Sequence, residues 1–175
     1  MDPDTLDDHS FGEVMAPLFE QAPQFLDRLR AGRPYGSWEQ LFRAATELAT
    51  KMPDDEQLEL IDAHPRIGAA PGSVSAMSFV EQGYDREAAT SESEAERLRV
   101  GAELELLNKA YEERFGFRYV IFVAGRSRAD IVPLMQAALA GDPAAERARA
   151  LGDVVAVARD RAIKSGLMTD HTAAG

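Results

Sequence analysis

A histidine stands directly before a proline in the sequence LELIDAHPRIG, residues 58–68, where an apolar helical pattern stops. Because the proline ring disfavours helical backbone in the preceding residue, His64 is expected just past the end of a helix that begins near Asp54. The negative end of the helix dipole favours an imidazolium and burial opposes it, so His64 is a candidate acid or base. The structural alternative is a histidine that binds a free carbonyl at the helix end.

A second candidate group follows in SFVEQ, residues 78–82, which offers a hydroxyl, a carboxylate and an amide. If this turn faces a cavity, Glu81 can orient or polarise an imidazole and Gln82 can pair with amide groups of a ligand. Ser78 and Glu81 also have the spacing of a capping box at a helix start. In that alternative their role is structural alone.

Two arginines near the C-terminus, Arg159 and Arg161, lie at opposite edges of a helical apolar stripe. A guanidinium binds a planar carboxylate or carbonyl in a fork, so either arginine can hold an anion. Periodicity does not choose between them, and the alternative for each is a surface arginine whose stem covers apolar groups. A metal site is not expected, because one histidine beside Asp62 is no zinc cluster and the chain has no cysteine.

The elements that must position these residues are predominantly helical. Apolar residues recur at steps of three and four, with Ser37 and Asp142 as predicted N-caps and Gly141 as a predicted C-terminal stop. The predicted helices cover residues 11–19, 23–29, 38–52, about 54–63, about 92–114, 131–139 and 143–162.

One stretch, RYVIFVAG at residues 118–125, has the β-branched and aromatic content of a strand. A lone strand has no partner, so an extended or irregular buried segment is expected instead. The predicted loops are Gly68–Ser75 and Asp85–Arg97. The fold class predicted is all-α, with one domain over residues 1–175 and a core over about 11–167.

Composition limits the partners. With 19 basic and 30 acidic residues the net charge is −11, which opposes binding to nucleic acid or to an anionic membrane surface. No apolar window reaches the length of a membrane span, and the acidic N-terminus lacks a secretion signal. The absence of cysteine fits a reducing compartment, and a cytoplasmic location is expected.

Several motifs together resemble one known family. They are HPRIG at 64–68, SFVEQ at 78–82, LNKAY at 107–111, FGFRYVIFVAG at 115–125 and VARDRA at 157–162, with RPYGSWEQL at 33–41 before them. Their order and spacing are similar to those of the 2-oxo-4-hydroxy-4-carboxy-5-ureidoimidazoline (OHCU) decarboxylases, over about residues 11–167. This resemblance implies a compact all-helical fold, a homodimer, and catalysis without metal or organic cofactor.

The resemblance also implies a set of site residues. The family's catalytic histidine, glutamate and arginine fall on His64, Glu81 and Arg161. The ligand-binding positions fall on Pro65, Ser78, Phe79, Val80, Gln82, Tyr119, Val120, Ile121, Phe122 and Val123. The implied reaction is the decarboxylation of OHCU, an anionic small molecule, to (S)-allantoin at the end of urate oxidation.

The chain departs from the family pattern at a few positions. Arg118 and Tyr119 replace a proline and a phenylalanine of many members, Ala162 replaces a leucine, and Gly83 and Tyr84 follow Gln82 in place of glycine and leucine. No catalytic group is lost. The alternatives are activity on a related ureido acid, a non-catalytic ligand-binding module and a metal-dependent amidohydrolase.

Overall fold

The protein is described by a computed structural model that covers residues 2–85 and 93–169. Within these residues there are eight α-helices and no strand, which confirms the predicted all-α class. The helices are α1 Asp8–Met15, α2 Pro23–Ala31, α3 Trp38–Lys51, α4 Asp54–Asp62, α5 Ala76–Glu81, α6 Glu94–Phe115, α7 Arg128–Ala138 and α8 Pro143–Lys164. Short 3-10 turns cover Pro3–Thr5 and Pro71–Ser73.

The chain divides into two compact units. The first contains the described residues up to 63 and from 151 onward, that is α1 to α4 and the C-terminal part of α8. The second contains residues 64–150, that is α5, α6, α7 and the first turns of α8. The single domain expected from the sequence stays a prediction.

The first unit is built on packing of α2 against α1, α3 and α4. Its core is rich in aromatic residues, and the rings of Phe19 and Phe25 lie 4.8 Å apart. The hydroxyl of Ser37 accepts a hydrogen bond from the backbone of Gln40, which confirms Ser37 as the N-cap of α3. Burial of the apolar stripe then fixes which face of α3 points inward.

The second unit is built on packing of α6 against α7 and on a cluster of rings around Tyr111. Tyr111 lies 4.5 Å from Phe115, 5.7 Å from Phe117 and 5.1 Å from Tyr119, measured between ring centroids. Gly116 ends α6 in the left-handed conformation, with a φ of 78°. That turn lets the chain come back along the ring cluster.

Residues 118–123 have no regular secondary structure, and Tyr119 and Val120 are buried. The expectation of an irregular segment over residues 118–125 is therefore confirmed, but burial is confined to Tyr119 and Val120, and residues 124 and 125 are exposed. The ring cluster explains the strand-like composition, because aromatic and β-branched residues here fill a core and pair with no strand.

Other element boundaries differ from the predictions. The first helix begins earlier and ends earlier than residues 11–19, because Asp7 caps it and the chain turns after Met15. The loop predicted over residues 85–97 is wrong at Glu94–Arg97, which is helical because Ser93 caps α6. Residues 86–92 of that prediction, with the start near 92 predicted for the helix, lie outside the described residues.

Candidate active site

His64 comes two residues after the last residue of α4, as predicted, and is 4% exposed. Pro65 follows it, and the backbone then turns through residues 67 and 68. The chain between His64 and Ala69 is called the histidine loop below.

The N-terminal part of the histidine loop is held by side chains that bind its backbone. A terminal nitrogen of Arg118 donates to the His64 carbonyl oxygen at 3.1 Å. The amide of Gln82 donates from Nε2 to the Arg66 carbonyl at 3.2 Å and accepts from the Gly68 amide at 2.8 Å. These side chains supply the hydrogen bonds that the backbone of the loop would otherwise form in a helix or a strand.

The C-terminal part of the histidine loop is held in the same way. Asn108 of α6 donates from Nδ2 to the Ile67 carbonyl at 2.9 Å, and the Tyr84 hydroxyl donates to the Ala69 carbonyl. Asn108 lies on α6 and Tyr84 lies after α5, so the loop conformation depends on contacts with other parts of the chain.

Gly68 is a steric requirement of the histidine loop. Its φ is 79°, a conformation that residues with a side chain rarely adopt. A Cβ at this position would also come within 3.1 Å of Leu104 Cδ1 on α6. The glycine therefore lets the loop lie directly against α6.

The predicted residues Ser78 to Gln82 lie on α5 and at its C-terminal end. The predicted capping box of Ser78 and Glu81 is wrong, because the N-cap is Ser75, whose hydroxyl accepts from the Ser78 amide at 3.1 Å. Ser78 is instead an interior helical residue and is 3% exposed. Glu81 is half-buried at the last helical position.

Within the same short helix the other two predicted residues differ in exposure. Phe79 is half-buried and its ring lies 5.4 Å from that of Tyr84, while Val80 is 51% exposed. Gln82 is 7% exposed, and both ends of its amide bind the histidine loop.

The predicted binding segment at residues 119–123 is held by Arg149 of α8. One terminal nitrogen of Arg149 donates to the Val120 carbonyl at 2.8 Å, and its guanidinium lies 4.8 Å from the centre of the Tyr119 ring. Tyr119 and Val120 are buried, and Ile121 to Val123 are half-buried.

Arg149 is itself held by a buried carboxylate. Glu146 accepts from Arg149 Nε at 3.0 Å and from the Tyr111 hydroxyl at 2.9 Å. Burial, with the hydrogen bond to Glu146, raises the pKa of Tyr111 far above its ordinary value. Burial lowers the pKa of Arg149, but the hydrogen bond to Glu146 and the charge interactions with Tyr119, Glu146 and Tyr111 together outweigh it, so the net shift is upward. Tyr111 therefore stays protonated and Arg149 stays charged.

The network of Tyr111, Glu146 and Arg149 was not predicted from the sequence. Glu146 and Arg149 have the three-residue spacing of an ordinary surface ion pair on a helix. The one available signal was the tyrosine in LNKAY, which is buried and must place its hydroxyl against a polar group.

Arg161 belongs to the first unit and is 2% exposed. One terminal nitrogen donates to the carbonyls of Pro17 and Leu18 at 3.0 and 3.3 Å, and the other donates to Glu20 Oε1 at 2.7 Å. The surface alternative is therefore wrong for Arg161. Arg159 is the more exposed of the two and pairs with Glu39 at 2.9 Å.

The second unit brings three of the predicted groups together. Gln82 connects α5 to the histidine loop, and Arg118, next to Tyr119, connects the segment 119–123 to His64. A buried imidazole in a loop held by its backbone can present a proton in a fixed direction. Roles in catalysis and binding for His64, Glu81, Arg161 and the other named residues stay predictions.

Among the described residues, no helix is long and apolar enough to cross a membrane. In the same part of the chain, no three side chains of histidine, cysteine, aspartate or glutamate are grouped so that they could hold a metal ion.

Comparison with known proteins agrees with this architecture. The model of the OHCU decarboxylase family matches residues 4–163. The 2-oxo-4-hydroxy-4-carboxy-5-ureidoimidazoline decarboxylase of Haloferax volcanii is 30% identical over 156 residues, which cover 89% of each chain. The uric acid degradation bifunctional protein PucL of Bacillus subtilis is 29% identical over 89% of this chain, which spans 30% of that longer protein.

A crystal structure of OHCU decarboxylase in the presence of (S)-allantoin has a similar fold. The TM-score is 0.68 with 18% identity, over 93% of this chain and all of the other. The family model matches nearly the whole chain, and the Haloferax volcanii relative aligns over the same share of both chains. The chain therefore belongs to the OHCU decarboxylase family, a family of carboxy-lyases.

Proposed function

We propose that this protein decarboxylates OHCU to (S)-allantoin, the last step of urate oxidation, without a metal or an organic cofactor. The observation that carries the proposal is the buried His64, held by its backbone in a chain of this family. The names of the relatives, which include decarboxylase and uric acid degradation, support it.

The reaction needs no cofactor as an electron acceptor, because the substrate ring itself can take up the electron pair. The bond between the ring carbon and the carboxylate breaks, carbon dioxide leaves, and the bonding electron pair is delocalised into the neighbouring carbon–nitrogen unit of the ring. The ring nitrogen that receives this electron pair takes up a proton, and the hydroxyl loses its proton to become a carbonyl. A proton must also reach the ring carbon that carries the ureido group. The protein must supply placement, charge and this proton.

His64 is the proposed acid, and Glu81 is proposed to orient its ring. Delivery from one fixed direction gives a single enantiomer of allantoin. Arg161 and backbone groups of residues 119–123 are proposed to bind the polar ring and ureido groups, with Pro65, Phe79 and Val80 as further contacts. Ser78 and Gln82 are proposed to fix the orientation.

The test generates the unstable substrate in place from urate and follows the circular dichroism of the allantoin formed. Added protein should speed the appearance of chiral allantoin. An unchanged rate would contradict the proposal and favour a related ureido acid or a non-catalytic binding module. Activity lost on adding a chelator would instead favour a metal-dependent hydrolase.

We also propose that two copies of the chain pair through the outer face of α6. Leu98 and Leu106 are 69% and 70% exposed, and Ala102 lies midway between them. An antiparallel copy placed about a two-fold axis at Ala102 would set each Leu98 against the partner's Leu106, and the small central residue permits close approach. A cavity of about 1100 Å³ adjoins these three residues.

Light scattering should give the mass of a dimer, and a double change of Leu98 and Leu106 to glutamate should give a monomer. A matched change on α7, Leu134→Glu, should leave the dimer intact, although Leu134 is also 39% exposed. A native monomer would contradict the pairing.

A cytoplasmic location is proposed on the absence of cysteine.

A further inference from the structure

Arg118 contacts the histidine loop at the residue proposed to carry the chemistry. Its terminal nitrogen lies 3.1 Å from the His64 carbonyl oxygen, in a contact that joins residues 54 positions apart in the chain. Arg118 is half-buried, so solvent competes less for this hydrogen bond than at an open surface.

An ion pair between Glu112 and Arg66 involves the same loop. Glu112 of α6 accepts two hydrogen bonds from Arg66 of the histidine loop, and these bonds hold the pKa of the Glu112 carboxyl below its usual range. The charge of Arg118 lowers the pKa of Glu112 further. The Glu112 carboxylate therefore binds one guanidinium, that of Arg66 on the histidine loop, and the charge of Arg118 also acts on it.

We infer that Arg118 is a positioning residue for His64. It fixes the peptide that carries the imidazole against residues 119–123, and so aligns the proton donor with the proposed binding segment. The backbone bonds from Gln82 and Asn108 hold residues 66–68, whereas Arg118 holds the His64 peptide itself. This inference rests on the proposed function for its effect on catalysis, but its structural part can be measured without activity.

The structural test uses the small number of histidines. The chain has three, so the ring signals in a ¹⁵N-histidine NMR spectrum can be assigned with His64→Asn. Arg118→Met removes the donor and keeps much of the apolar stem. In this variant the His64 ring signals should shift and broaden while those of His9 and His171 stay in place.

A matched control is Arg114→Met. Arg114 also donates to a backbone carbonyl in the second unit, that of Gly141 at 3.2 Å, and its guanidinium lies over the Phe115 ring of α6. The His64 signals should be unchanged in the control. Unchanged His64 signals in Arg118→Met, or the same change in both variants, would overturn the inference.

The kinetic test separates positioning from binding. For Arg118→Met, kcat should fall about tenfold or more while KM changes little, because misalignment affects the proton transfer more than substrate affinity. Arg118→Lys keeps a donor and should recover part of kcat. In Arg118→Ala, added guanidinium well below denaturing concentrations should restore activity, which a loss of folding would not allow.

The outcomes distinguish the two proposals. If the native protein makes no chiral allantoin, the proposed function fails, and the NMR comparison still decides whether Arg118 positions His64. If the native protein is active and Arg118→Met keeps its kcat, the function stands and the positioning role is wrong.

Discussion

His64 and Arg161 are both buried ionisable residues, but the protein holds them in opposite ways. The peptide of His64 and its loop are bound by donors from other elements, so the contacts described act on the backbone. Arg161 is bound through its own guanidinium, which donates to the turn at Pro17–Glu20. We therefore expect loss of the His64 side chain to cost less folding free energy than loss of the Arg161 charge.

The largest effect expected is that of His64→Asn on activity. Removing a general acid should lower kcat by about 10² to 10⁴, while the helical circular dichroism and the unfolding midpoint stay close to native. His9→Asn is the control, because His9 is an exposed residue whose side chain is 84% accessible. Retained activity in His64→Asn would mean that another residue is the acid, and loss of folding would break the contrast with Arg161.

Arg161→Met should instead destabilise the protein. It leaves Glu20, whose side chain is 11% exposed, without its buried cation, and such a change costs about 3 to 5 kcal/mol. The measurement is the free energy of unfolding in urea. Arg159→Met is the control: its pair with Glu39 is more exposed and should cost at most about 1 kcal/mol. Equal costs for the two variants would contradict the structural role of Arg161.

Tyr111→Phe should cost less, about 1 to 3 kcal/mol, because it removes a donor from the buried Glu146 carboxylate. This variant tests whether the network of Tyr111, Glu146 and Arg149, which is held by charge as Arg161 is, also stabilises the segment at Val120. The control is Tyr35→Phe, whose half-buried hydroxyl donates to the neutral Leu29 carbonyl. Chemical denaturation of both variants gives the difference, and a smaller loss at Tyr111 than at Tyr35 would oppose this interpretation.

The smallest effect expected is at Glu112. Its pKa is lowered from 4.5 by the Arg66 hydrogen bonds, so the ion pair stabilises the fold at pH values above 4.5 and is lost as the pH falls through the lowered value. Glu112→Gln should cost at most about 1 kcal/mol at neutral pH, since Arg66 is 51% exposed, and the difference should vanish in acid.

The control for Glu112 is Glu47→Gln, in the exposed pair with Lys51. Thermal unfolding over a series of pH values gives both curves. A Glu112→Gln difference that grows in acid would reverse the sign expected and would argue against a charged Glu112 in the folded protein.

Much of the helical framework was predictable because its signals are local. Ser37 and Asp142 cap their helices as predicted, with hydrogen bonds to Gln40 and Ala145. The end of α4 before His64 follows from the restriction that proline imposes on its predecessor.

What escaped prediction depends on contacts between distant residues. Ser75 and Ser78 are both of a residue type that caps helices, and type alone does not show that Ser75 is the N-cap. Periodicity at the edge of a stripe could not show that Arg161 is buried and that Arg159 is more exposed. The donors that hold the histidine loop are up to 54 positions away in the chain, so no local pattern could identify them.

The tight fit of Gly68 against Leu104 limits how this enzyme can be altered. Any larger residue at position 68 strains the backbone and presses on the Leu104 side chain, next to the residue proposed to donate the proton. A search for variants with a new substrate range should therefore leave the histidine loop untouched. Diversity is better placed at Val80 and at Ile121 to Val123, which are partly exposed and lie outside the histidine loop.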